Sequence, residues 1–266
     1  MTRWVKERLN EWWPPLALMA GALALWEGLA HALAIPRWLL PPPSAIVREL
    51  VARGDLLARH SWVTLQEVLA GFAVAFTVGV ACGVAIAQWR VVERGFYPLV
   101  VASQTIPIIA IAPLLLIWVG YDIRMKVIVV ALICFFPITV NLVDGLRSVD
   151  PDLVNLLRTM GAGRWKVFLM VSLPWALPYL FSGAKVAAAV SVIGAVIGEW
   201  VGASAGLGWL MTQAVPRFQT PLVFASLVAL GVMGIALFQA TALVERLLLP
   251  WHYTMKRQEA LKWTSL

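Results

Sequence analysis

The residues that could do chemistry in this chain are few, and most lie inside apolar runs. The histidines His31, His60 and His252 are scattered, and no paired acidic motif accompanies them. Cys82 and Cys134 sit in apolar stretches without metal-ligand spacing, which is the setting of small core residues. No G-x-x-x-x-G-K-[ST] phosphate loop occurs, and no Gly-Lys pair at all. What remains is polar chemistry in apolar surroundings. Gln104, Thr105 and Asn141 lie close to Pro107 and Pro137, where broken hydrogen-bond ladders expose backbone groups. They are the candidates for a solute pathway, against the plainer role of helix–helix hydrogen bonds. Glu27 and His31, four residues apart, can satisfy one another, and Lys185 can attract an anionic solute or, in a structural role, answer a carboxylate on another span. Glu199 is a candidate contact or gate at a span end.

The elements that must position these groups follow from composition. Of 266 residues, 61% are apolar and 13% charged, and the mean hydropathy is +0.83. A soluble domain carries about 25% charged residues, so the chain belongs in a bilayer. A helical span needs about 20 apolar residues. Six runs qualify: 15–35, 62–88, 96–119 (interrupted by Pro107 and Pro113), 125–146, 171–197 and 221–243. The first is read as a span rather than a cleaved signal, because it is long and contains Glu27 and His31. Pro41-Pro42-Pro43 stops a helix, and Ser44 can cap a short amphipathic one. The expected fold class is an all-α membrane protein of about six transmembrane helices. Residues 1–14 form a cytoplasmic N-terminal segment, 15–245 the transmembrane domain with a loop at 147–170, and 246–266 a cytoplasmic tail.

Net charge is +7, which in so apolar a chain reports topology rather than nucleic-acid binding. Six spans put both termini on one side. With the termini inside, thirteen Lys and Arg fall in inner segments and seven in outer ones, the bias expected of cytoplasmic loops. Four of the outer ones crowd the loop after the first span. Trp62, Trp89, Trp200 and Trp251 fall near span ends, as interfacial anchors do.

The inner segment between the fourth and fifth spans is the most informative. Asp150 suits an N-cap and Pro151 a first helical turn. Leu153, Leu156, Leu157 and Met160 recur at i, i+3, i+4 and i+7, an apolar stripe on one face. Gly161 can end the helix, and Ala162 or Gly163 can begin another. Such a stripe must be buried in lipid headgroups or in another protein.

Asn155-Leu156-Leu157-Arg158-Thr159-Met160-Gly161-Ala162, followed by Leu173-Pro174, resembles the EAA loop of ABC importer permeases. Leu40-Pro41-Pro42-Pro43-Ser44-Ala45, Gln104-Thr105-Ile106-Pro107 with Pro113-Leu114, and the 199–208 stretch from Glu199 to Gly208 are similar to the same family. The likeness covers about residues 15–250 and is nearest the branch importing nitrate, taurine, sulfonates and thiamine-pyrimidine precursors. Asn155-Leu156-Leu157 replaces the usual Glu-Ala-Ala, so the customary acidic contact cannot form. The resemblance implies a type I importer permease whose loop couples to an ATPase through Leu153, Asn155, Leu156, Leu157, Arg158, Met160, Gly161 and Ala162. It further implies a plasma-membrane location, two ABC ATPase subunits that use ATP and Mg, a solute-binding protein, and a second permease copy in a homodimer. It implies no cofactor or metal in this chain and no nucleic-acid partner. The loop's wording points to hydroxymethylpyrimidine as the solute, with nitrate, taurine, sulfonate or riboflavin next.

Two rivals fit less well. A stand-alone secondary transporter needs mid-membrane carboxylates and usually two repeats, whereas the sequence shows one acid clearly inside a span and no self-similarity. A membrane enzyme needs a catalytic cluster. Gly194, Gly198, Gly202 and Gly206, four apart, mark close helix packing within the chain or a two-fold interface.

Overall fold

A computed structural model describes residues 2–252 as an all-helical protein. The helices are α1 (Thr2–Ala32), α2 (Pro43–Ala52), α3 (Gly54–Gln88), α4 (Arg90–Ser103), α5 (Ile108–Val119), α6 (Ile123–Arg147), α7 (Pro151–Thr159), α8 (Arg164–Val167), α9 (Leu173–Gly202), α10 (Leu207–Ala214) and α11 (Thr220–Leu248). Among the described residues five helices are long and apolar enough to cross a membrane, and the α4–α5 pair makes a sixth crossing if taken as one. That pair is bent by 101°. The sequence places an interrupted span here. In the structure α4 stops at Ser103, and Pro107, with no N–H to donate, is the N-cap from which α5 starts on a new axis.

The core is built on α6. In lipid there is no hydrophobic drive between helices, so association depends on close packing, which small residues permit. On α3, Gly71, Ala75, Gly79 and Gly83 recur every fourth residue. A Cβ on Gly71 would overlap Val130, and one on Gly83 would stand 2.9 Å from Leu142 Cδ2. On the other side, Gly194 faces the Val130 backbone and Gly198 the Lys126 backbone, at 2.9 and 3.2 Å from a notional Cβ. The order of these contacts makes α3 parallel and α9 antiparallel to α6. The 194–202 glycines therefore pack within the chain. Between the two glycine faces, Met125, Val129, Val130, Cys134, Ile138 and Leu142 are fully buried.

At 35 residues α3 is about 52 Å long, more than the roughly 30 Å hydrocarbon core, so it projects beyond it. α1 lies at the periphery, touching the bundle through Trp26, whose ring is 5.8 Å from that of Phe224. It begins at Thr2, so residues expected as a leading segment are already helical. Residues 253–266, most of the expected tail, lie outside the described residues, as do Lys256, Arg257 and Lys262. Ser44 is not the cap of α2. Its N–H and hydroxyl both donate to the Glu27 carboxylate, at 3.0 and 2.7 Å, which caps α2 from another helix. His31 bonds mainly to the Glu27 carbonyl oxygen, at 2.8 Å, with the carboxylate 3.6 Å away.

Candidate functional site

The 147–170 loop is closed tightly at both ends of α7. Asp150 Oδ1 accepts the Asp152 N–H at 2.8 Å, and Pro151 takes the first turn, where no N–H is needed. At the other end Gly161 adopts φ +82°. The Ala162 N–H returns to Leu157 O at 2.9 Å and the Gly161 N–H to Arg158 O at 3.0 Å. These two bonds form a Schellman turn. Gly163 then caps α8, whose Val167 and the following Phe168 are buried. A π-helical turn (Phe168–Ser172) runs without a break into α9.

The structure divides the expected apolar stripe. Val154, Leu157 and Ala162 are half-buried against the protein, while Leu153, Leu156 and Met160 are exposed, Met160 at 75%. Asn155 and Arg158 are exposed as well. At about 100° per residue, Arg158 lies some 160° around the helix from Leu156, and it lines a cavity with Gln88, Arg90 and Arg164.

Gln104 and Thr105 sit together in the α4–α5 elbow, both exposed, and Thr105 Oγ1 donates to Ala102 O at 2.7 Å. Ile109, just past the elbow, lines a cavity of about 890 Å³ whose other walls include Ile193, Trp200, Leu227 and Phe238. Asn141 is elsewhere. Its Nδ2 donates to Pro137 O on its own helix, at 2.7 Å, and its Cβ is where a side chain on Gly183 would have to go. Among the described residues no hydrogen bond joins Asn141 to the elbow.

The Glu199–Thr220 stretch holds more than a loop. α10 folds back there, and the first N–H groups at its start are each taken by a distant side chain. Gly206 N–H donates to His60 Nδ1 at 3.0 Å and Leu207 N–H to Thr64 Oγ1 at 2.9 Å. Gly208 and Trp209 N–H both donate to Glu199 Oε2. Thr64 Oγ1 in turn donates to Glu199 Oε1 at 2.6 Å. A helix start bears partial positive charge, so a buried carboxylate is a fitting cap. Nearby, Lys126 Nζ stands 2.9 Å from Glu67 Oε1, both side chains buried.

Lys185 answers a carboxylate, as expected of a structural lysine: Nζ is 2.7 Å from Oε2 of Glu245, a buried side chain near the end of α11. The bundle thus buries Glu67, Glu199 and Glu245, which corrects the single acid counted from the sequence. Each faces a polar partner within the bundle: Glu67 stands opposite Lys126, Glu199 on the start of α10 and Glu245 opposite Lys185. Among the described residues no group of three His, Cys, Asp or Glu side chains could hold a metal.

The family described as "binding-protein-dependent transport system inner membrane component" matches residues 75–251. The formylaminopyrimidine transport permease protein ThiX of Halalkalibacterium halodurans is 40% identical over 230 residues, covering 86% of this chain and 92% of that protein. The riboflavin transport system permease protein RibX of Chloroflexus aurantiacus is 36% identical over 244 residues, covering 90% and 91%. In fold, the inward-facing MetNI methionine ABC transporter is similar, with a TM-score of 0.62 at 22% identity, over 73% of this chain and 97% of that one. The helical bundle, its family match and these relatives agree, and the chain belongs to the inner-membrane permeases of binding-protein-dependent ABC transporters.

Proposed function

We propose that this permease forms the solute pathway of an ATP-driven importer as one of two identical copies, each docked on one of two ATPase subunits through α7. The observation that carries the reading is the exposed apolar face Leu153–Leu156–Met160 on a helix fixed at both ends. Such a face needs a partner, and a helix seated in a partner's groove uses this i, i+3, i+7 pattern. α7 leads through its Schellman turn and α8 into the continuous rod of α9, which packs along α6. A displacement imposed on α7 is thereby passed to the centre of the bundle. ATP and Mg belong to the ATPase; this chain contributes the joint.

The face carrying α7 is then cytoplasmic, as are both termini, and the opposite mouth receives solute from a binding protein. Gln104 and Thr105 line the pathway, because exposed irregular backbone at membrane depth is tolerated only beside protein or a watery cavity. Asn141, bonded to its own helix, borders it at most. The solute is a thiamine-pyrimidine precursor such as hydroxymethylpyrimidine, a reading supported by the similarity to ThiX. Riboflavin is the second reading, supported by RibX. A tagged chain should bring down an ATPase in stoichiometric amount and show no ATP turnover alone. The assembled particle in proteoliposomes, supplied with its binding protein, should accumulate labelled hydroxymethylpyrimidine on ATP addition. Recovery of the chain without any ATPase would overturn the docking reading, and uptake of riboflavin alone the hydroxymethylpyrimidine reading.

A further inference from the structure

The inner end of α3 carries a site that docking of α7 does not explain. Gln88, the last residue of α3, is followed by Trp89 and Arg90, and the chain turns there into α4. Gln88, Arg90, Val92, Arg158 and Arg164 line a cavity of about 640 Å³, within the 300–1,000 Å³ range of small-molecule sites. Three guanidinium-bearing side chains from α4, α7 and α8 converge on it. Arg164 Nε donates to Gln88 Oε1 at 3.2 Å, which holds one of them in place. Among the described residues none of the three has a carboxylate within 4 Å. The acid on α4, Glu93, is already bonded to Arg147 at 2.7 Å, and Arg147 lies over the Tyr97 ring. Three like charges held together without a counter-ion call for an anion.

We infer that Arg90, Arg158 and Arg164 form a binding site for the phosphate headgroup of an anionic phospholipid. The cavity lies at the end of a spanning helix, where its apolar run gives way to Gln88, Trp89 and Arg90, and an apolar run of that kind ends at the headgroups. Trp89 and Val91 beside it are exposed at 57% and 85%, as residues that enter the interface are. Arginine presents a planar fork suited to bidentate phosphate binding, with an apolar stem that lies along hydrocarbon. A basic pocket between membrane helices is the setting in which acidic lipid headgroups are held. An acidic side chain of an ATPase is the less favoured occupant, since Arg158 points well away from the Leu156 face of α7. A bound phosphate would join α7 and α8 to the α3–α4 turn and so fix the joint on the bundle. This inference does not depend on α7 docking an ATPase.

The test equilibrates the purified full-length chain in mixed micelles with phosphatidylglycerol or phosphatidylcholine and counts retained lipid by native mass spectrometry. The wild-type chain should retain phosphatidylglycerol preferentially. The Arg90→Gln/Arg164→Gln double variant, which leaves α7 untouched, should lower that preference about thirtyfold, or about 2 kcal/mol at roughly 1 kcal/mol per arginine. The corresponding Lys variants should keep most of it. A separate arm adds inorganic phosphate. Failure of millimolar phosphate to displace the lipid supports a lipid source, and displacement with no lipid preference assigns the site to free phosphate and overturns the lipid. Equal retention of the two lipids by the wild-type chain, which needs no variant, also overturns it. So does an unchanged preference in the double variant.

Discussion

The carboxylate of Glu199 occupies the space that a side chain on Gly206 would need. Gly206 also holds φ +117°, a backbone conformation costly to any residue with a Cβ. Gly206→Ala therefore meets both the cost of an extended positive-φ backbone open essentially to glycine alone, about 1–3 kcal/mol, and the Glu199 carboxylate. We expect it to lower the thermal unfolding midpoint of the detergent-solubilised chain clearly. Gly208→Ala should do likewise, since its Cβ would stand 2.8 Å from the same carboxylate.

Removing the carboxylate tests the same corner from the other side. Glu199→Ala strands the Gly208 and Trp209 N–H groups, at about 1–3 kcal/mol for each buried group left unsatisfied, while the Thr64 hydroxyl keeps His60 O as an acceptor at 3.1 Å. Glu199→Gln retains an acceptor and should lose less. A Glu199→Ala chain as stable as the wild type would show that α10 is held by something other than its cap.

The exposed and half-buried faces of α7 give separable outcomes. Leu156→Asp changes a side chain with 57% exposure, so the chain should insert and fold normally. ATPase recovery in a pull-down should nonetheless fall at least tenfold, the scale of a well-packed interface anchor. Leu157→Asp places a charge on the side facing the protein and should destabilise the chain itself. Equal ATPase recovery from Leu156→Asp and wild type would remove α7 as the docking element.

How much of this was legible beforehand depends on how local each cause is. The spans were legible because length and hydropathy act residue by residue, and α7 was legible because Asp150, Pro151 and Gly161 signal both ends of a helix only nine residues long. Pro107 marked the break between α4 and α5, but a missing N–H does not set a bend of 101°; packing against α6 and α9 does. α10 was invisible, because His60, Thr64 and Glu199 cap it from sites up to 146 residues away in sequence. The pairs Glu67–Lys126 and Lys185–Glu245 likewise join different helices. The Gly71–Gly83 face could have been found from its four-residue spacing, the same signal that drew attention to Gly194–Gly206.

The Lys185–Glu245 pair separates a packing role from a pathway role. Glu245 is 4% exposed at its side chain, and removing one partner of a buried pair typically costs about 3–5 kcal/mol, whereas apolar replacement of both is often neutral. Lys185→Met should therefore lower stability and transport together. Lys185→Met/Glu245→Leu should restore both. A stable double variant that still fails to transport would assign Lys185 to the solute.

Gly161 offers the sharpest test of the joint, because space and backbone can be told apart there. Nothing lies within 4 Å of a notional Cβ on Gly161, so a larger side chain meets no obstacle. Its φ of +82° is the difficulty. A β-branched residue fits the left-handed region poorly, whereas asparagine enters it readily. Gly161→Val should open the Schellman turn, release the Ala162 N–H from Leu157 and detach the direction of α8 from that of α7. The assembled transporter should then hydrolyse ATP with solute uptake reduced at least tenfold, while membrane insertion stays intact. Gly161→Asn should retain most of the uptake, since it keeps the turn. Uptake by Gly161→Val equal to that of the wild type would mean that motion reaches α9 by some route other than this turn.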